Sequence, residues 1–133
     1  MKRSIILGVI LLSFMLFGCL ATPPALPKAG VSGCATKECF LTAANACSNA
    51  TLKLNDSFGT VLLSTNNCTF KKTIIALDPK ESTQIKDLVE GTSMTCAYEK
   101  SKFDYDWMNS LVLGVEKCDG TLKDAIVDLL SLA

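Results

Sequence analysis

Seven cysteines and one acidic-aromatic string are the residues of this 133-residue chain whose types and spacing could do chemistry. Six of the cysteines follow residue 33: Cys34, Cys39, Cys47, Cys68, Cys96 and Cys118. Such a set pairs as disulfides in an oxidising compartment, holds zinc through close C-x₂₋₄-C pairs, or exchanges electrons through C-x-x-C. Only Cys34 and Cys39 approach a metal-ligand spacing, and no C-x-x-C occurs. The pattern therefore points to three structural bridges and to no metal or cofactor. Spacing leaves the pairing open. Cys68 and Cys96 fall on predicted strands and suit a bridge between neighbouring strands or from strand to helix. Cys34 and Cys118 flank predicted helices and suit a bond that ties the two ends together.

The second cluster is Asp104-Tyr105-Asp106-Trp107. Two carboxylates beside two aromatics could work as an acid/base pair or contact a sugar or cation through Asp104, Asp106 and Trp107. Acidic residues also favour the first turn of a helix, whose dipole they complement, and Trp107 then belongs to the core. The spacing does not fit a calcium loop, which needs a longer series of oxygen ligands and a glycine. The chain has no His. That removes the commonest general base and the hydrolase triad built on it. Neither Ser-x-x-Lys, Gly-x-Ser-x-Gly nor a phosphate-cradling glycine loop is present. Lys71-Lys72 and Lys100 with Lys102 are basic spots that suit anionic lipid heads or solvated strand ends. Asn49-Ala50-Thr51, Asn55-Asp56-Ser57 and Asn67-Cys68-Thr69 are sequons, which make Asn49, Asn55 and Asn67 acceptors for N-glycans outside the cytoplasm.

The seventh cysteine, Cys19, closes an apolar run. Lys2 and Arg3 precede Ser4 to Phe17, which is almost wholly apolar. At about 14 residues the run suits a signal h-region and is short for a spanning helix. Leu16-Phe17-Gly18-Cys19 ends it. This string resembles the lipobox of prokaryotic lipoproteins, with Leu16 and the small Gly18 in place. Phe17 stands where the bacterial pattern has a small residue and leaves room for an archaeal version. The resemblance covers residues 1–19. It implies cleavage of a signal peptide at 1–18 and lipid on Cys19, at the extracytoplasmic face of the cell membrane. Residues 19–33 follow as a tether with three of the chain's four prolines, stiffened by them. Loss of Lys2 and Arg3 lowers the 13 basic residues to 11 against 13 acidic ones, a formal charge of −2, and removes the only Arg. A slightly acidic, Arg-free domain is ill suited to nucleic acid.

A single domain over 34–133 must position these groups. Thr36 caps a helix running to about Ala46, with Cys39, Phe40, Ala43, Ala44 and Cys47 on one face. Thr51–Leu54, Thr60–Ser64 and Cys68–Leu77 read as strands, the last irregular near Lys71-Lys72. Asp56–Gly59 and Asn66-Asn67 form the turns between them. Asp78-Pro79-Lys80-Glu81 reads as a helix start, and Gly91 as its stop. Met94, Cys96 and Tyr98 alternate as a strand. Phe103, Trp107, Leu111, Val115 and Cys118 recur at helical spacing, Asp119-Gly120 breaks the pattern, and a last amphipathic helix follows. The expected fold is α+β: a small antiparallel sheet of about four strands, stapled by disulfides, with N-terminal, middle and C-terminal helices packed on one face.

The placing of Cys39-Phe40 and Cys47 on one helix, then short strands, then Met94-Thr95-Cys96, resembles small cysteine-rich exported proteins of prokaryotes, archaeal in type. The likeness covers most of 34–133 and carries over no catalytic or binding residue. The expectation is a lipid-anchored module of the cell envelope that binds an envelope protein or glycan, or serves a structural role, without catalysis. A small envelope hydrolase or glycan-acting enzyme built on Asp104 and Asp106 is the alternative, and a thiol oxidoreductase a third reading.

Overall fold

A computed structural model describes residues 32–131. The expected signal peptide, Cys19 and tether residues 19–31 lie outside the described residues.

Alternation builds the sheet. β2 (Ala50–Asp56), β3 (Gly59–Asn66) and β4 (Thr69–Leu77) form an antiparallel meander. Ala50 and Leu52, then Val61, Leu63 and Thr65, then Phe70, Lys72 and Ile74, are buried at every second position. A strand sends successive side chains to opposite faces, so these residues share one side. β5 (Ser93–Ala97) pairs antiparallel with β4 and adds Met94 and Cys96. Two short strands complete the sheet. β1 (Ser32–Cys34) runs parallel to β2, and β6 (Cys118–Asp119) antiparallel to β5, in the order β1-β2-β3-β4-β5-β6.

The α+β class stands and the four longer strands are antiparallel, but two short edge strands bring the sheet to six and the parallel β1 makes it mixed. Edge strands of three and two residues are too short to show a period. β1 also begins at Ser32, inside the expected tether. The irregularity falls elsewhere too: the β3–β4 register shifts between Thr60 and Val61, so that Thr60 faces Ala76, Val61 faces Ile74, and Ile75 is skipped. Lys71 and Lys72 keep regular pairing.

Helices cover the buried side. α1 (Lys37–Asn45) is capped by Thr36, whose Oγ1 accepts from Cys39 N at 3.2 Å, and buries Phe40 and Ala44. Its end is a left-handed cap. Cys47 N donates to Ala44 O and Ser48 N to Ala43 O, both at 2.9 Å, with Cys47 at φ 56°. α2 (Thr83–Val89) starts four residues later than Asp78-Pro79 suggests. Ser82 is the cap, and the Asp78 carboxylate instead accepts from Lys80 N at 2.8 Å to close a turn.

The long helix expected from Phe103 to Cys118 does not form. Its place holds α3 (Asp106–Asn109), a turn at Gly114 (φ 75°) and one 3₁₀ turn, Val115–Lys117. Ser110 Oγ accepts from Val112 N and Leu113 N at 3.1 and 3.0 Å, which ends the helix locally. Tertiary packing draws Phe103, Met108 and Cys118 into the core without helical spacing. α4 (Thr121–Ser131) follows as expected and buries Leu122, Ala125 and Ile126. Among the described residues no helix is long and apolar enough to cross a membrane.

All six cysteines of the domain are bridged: Cys34–Cys39, Cys47–Cys68 and Cys96–Cys118. The pairing corrects two expectations. Cys34 closes on Cys39 across the first turn of α1 and not on Cys118, whose partner is its cross-strand neighbour Cys96. Cys68 lies in the turn between β3 and β4 rather than on a strand, and joins it to the end of α1.

Candidate functional site

Five aromatic rings meet at one end of the sheet. Phe70 of β4, Phe40 of α1 and Phe103 form edge-to-face pairs with centroids 5.1–6.2 Å apart. Tyr98 and Trp107 extend the cluster outwards. Trp107 lies 5.9 Å from Phe103 and 6.4 Å from Tyr98, at 89° to the latter ring. Phe40, Phe70 and Phe103 are buried, whereas Tyr98 and Trp107 are only partly so. The inner three rings are core, and the outer two border a cleft.

That cleft, of about 480 Å³, is lined by Ala97, Tyr98, Glu99, Lys102, Trp107 and Lys117. A volume of this size falls within the range of small-ligand sites. Its walls come from the end of β5, the loop that follows, α3 and the 3₁₀ turn. Glu99 and Lys102 form an exposed ion pair. Lys117 stands exposed on the 3₁₀ turn, and among the described residues no carboxylate pairs with it.

The two aromatic walls are held from behind. The Tyr98 hydroxyl donates to Ala44 O at 2.8 Å and accepts from Thr65 Oγ1 at 2.6 Å. This network anchors the ring to both α1 and β3. The residues leading to Trp107 are tied to α1 as well, since Phe103 N donates to Asn45 Oδ1 at 3.1 Å and Ser101 N to Asn45 O at 3.0 Å.

Trp107 has two supports. Gly114 packs beneath the indole: a Cβ there would stand 2.5 Å from Nε1, so no other residue fits without displacing the ring. Lys72 holds the backbone. Its side chain is 1 % exposed, and its Nζ donates to Trp107 O and Ser110 O, both at 2.6 Å. These two carbonyls belong to the end of α3, where partnerless acceptors and the negative end of the dipole favour a cation. The ammonium also lies 5.8 Å from the Phe70 ring centroid. Burial pulls the Lys72 pKa down from 10.5 to about 8, against a smaller upward pull from Asp56.

The acidic string is divided by this arrangement. Trp107 lines the cleft, but Asp104 and Asp106 do not. Both carboxylates are exposed, and Asp104 Oδ1 accepts from Asp106 N at 2.9 Å, closing the turn that starts α3. Tyr105 points its ring towards Lys37 of α1, 5.8 Å away. Asn49, Asn55 and Asn67 are exposed: one precedes β2, one is near its end, and one is in the β3–β4 turn. Among the described residues no three His, Cys, Asp or Glu side chains converge as a metal ion requires.

Nothing in the sequence marks Lys72, Tyr98, Gly114 and Lys117 as parts of one site. A signal existed for Lys72. It alternates with Phe70 and Ile74, which puts it on the apolar face, whereas its adjacency to Lys71 suggested a solvated basic spot. Lys71 is exposed, as that reading requires, and Lys72 is not. Comparison of the chain with protein-family models, with curated proteins and with solved structures finds no match.

Proposed function

We propose that this chain is a lipid-anchored domain of the cell envelope that binds rather than catalyses, with the cleft beside Trp107 as its recognition surface. The observation that carries this reading is the closure of all six cysteines after residue 33 into three bridges. Disulfides of this density belong to oxidising compartments, where small domains use them to supplement a modest core. They also leave no free thiol in the domain for redox work. The apolar leader and Leu16-Phe17-Gly18-Cys19 supply the route and the anchor. Each acyl CH₂ buried contributes about 0.8 kcal/mol, so two or more chains on Cys19 hold stably where one does not.

Binding is favoured over hydrolysis by the position of the carboxylates. Asp104 and Asp106 stand outside the cleft, and Asp104 already serves the backbone of its own turn. The aromatic walls, by contrast, are braced by hydrogen bonds and packing before any ligand arrives, which lowers the entropy lost on binding.

Intact mass spectrometry of the protein from its native membrane, with and without reductant, tests the address. The expected mass lacks residues 1–18, carries lipid on Cys19 and gains six hydrogens on reduction. The same spectrum reports any glycan on Asn49, Asn55 or Asn67. A leader still attached, with all thiols free, overturns the reading.

A further inference from the structure

We propose that the Trp107 cleft takes a short acidic saccharide, an oligomer of uronic acid residues, through the indole and phenol rings of Trp107 and Tyr98, the ammonium of Lys117 and the carboxylate of Glu99. This rests on the cleft being a recognition surface, as argued above, and goes on to the class of ligand.

The lining makes three separate demands on its occupant. Trp107 and Tyr98 are partly exposed rings set against three buried ones, Phe40, Phe70 and Phe103. Open ring surfaces call for a ligand with an apolar face that is itself not greasy, which describes the C–H face of a pyranose. A fatty acid would need an enclosed apolar cavity. Glu99 calls for hydrogen-bond donors, since a carboxylate only accepts. Sugar hydroxyls donate, whereas a phosphodiester has no donor to offer. Lys117 then calls for an anion. Lys102 is neutralised by Glu99, so Lys117 is the cation of the lining that no carboxylate answers among the described residues. Hydroxyls, an apolar face and a carboxylate on one small unit are the features of a uronate. A volume of about 480 Å³ holds two or three sugar rings and not a folded partner.

The supports argue in the same direction. An aromatic platform discriminates sugars only if its ring is fixed, and here the sole Trp is fixed twice, by Gly114 below the indole and by a lysine withdrawn from solvent behind its carbonyl. A buried cation is costly unless hydrogen-bonded, and this one braces α3, the element that carries Trp107.

Trp107 is also the reporter. Its fluorescence in the full chain, purified from membranes in detergent, is followed while trigalacturonate, the neutral trisaccharide maltotriose and the acidic peptide triglutamate are titrated in turn. The expected result is a saturable change with trigalacturonate in the millimolar range or tighter, weakened about tenfold by Lys117→Gln and weakened by added salt. Maltotriose and triglutamate should bind at least tenfold more weakly. Lys117 is exposed, so its replacement leaves the fold intact. Equal binding of maltotriose, indifferent to Lys117→Gln, overturns the acidic class and leaves the cleft a sugar site. Equal binding of triglutamate overturns the saccharide and leaves an anion site. No response to any probe overturns this proposal together with the recognition surface it rests on, whereas the mass spectrum tests the membrane address independently.

Discussion

Lys72 is a cation in an apolar core, and its surroundings decide how it titrates. Desolvation lowers its pKa to about 8, while in the unfolded chain it is about 10.5. Between those values the unfolded chain holds a proton that the folded one has lost. Stability therefore rises with pH across this window, by on the order of 2–3 kcal/mol from this residue alone. Urea denaturation of the native protein and of Lys72→Met from pH 7 to 10 should show the rise in the first and a flatter curve in the second; matching curves would place the titration elsewhere. Two cysteines carry a different load. Cys47, after α1, and Cys68, in the β3–β4 turn, both have positive φ, at 56° and 58°. Glycine is the default in such positions, and an L-residue there costs about 1–2 kcal/mol. The bond between them holds both in place. Replacing the pair by Gly should thus destabilise less than replacing it by Ala, by about 1–2 kcal/mol after the extra chain entropy of glycine is counted. Denaturant midpoints of the two double variants measure the difference.

At the scale of elements, the stretch from α3 to the 3₁₀ turn deserves to be read as a brace and not as a loop. Gly114 has φ 75° and lies against the indole, so Gly114→Ala meets both backbone strain and a collision with Trp107. The expected outcome is a loss of about 2–3 kcal/mol and a red shift of Trp107 emission as the ring moves into water; an unchanged spectrum would mean that the indole is not seated there. This stretch also shows where sequence patterns lose their hold. The meander, α1 and α4 can be read from the sequence because each repeats its period over seven or more residues and adjoins a recognisable cap or turn. Phe103, Trp107, Leu111, Val115 and Cys118 mimic a helical stripe, yet Ser110 and Gly114 interrupt it, and core packing rewards burial of Phe103, Met108 and Cys118 whatever the local backbone. Asp78-Pro79 satisfies the rules for a helix start equally well, but the turn closed by Asp78 delays α2 to Thr83. The cleft was half legible. Trp107 stands out by type, whereas Tyr98 and Glu99 reach it from the loop after β5 and Lys117 from the 3₁₀ turn, a juxtaposition that only the folded chain creates.

For the whole molecule, the bridges divide the work unequally. Cys96–Cys118 spans 22 residues of sequence and both half-cystines are 2 % exposed, so it closes a long loop inside the core. Cys34–Cys39 spans five, at the surface of α1. Loop-closure entropy alone gives about 3 kcal/mol for the former and about 2 kcal/mol for the latter, and the buried pair adds a packing loss. Cys96→Ala with Cys118→Ala should therefore lower the melting temperature well beyond Cys34→Ala with Cys39→Ala, as calorimetry would record; the reverse order would contradict the burial. The pairing has one more property. Along the chain the first cysteine of the domain joins the second, the third the fourth and the fifth the sixth. No ring overlaps or encloses another along the sequence. A polypeptide fed through a membrane pore amino end first presents each sulfur just before its mate, so an oxidant that simply welds neighbours together as they emerge makes the native set, with nothing left for a shuffling enzyme to correct.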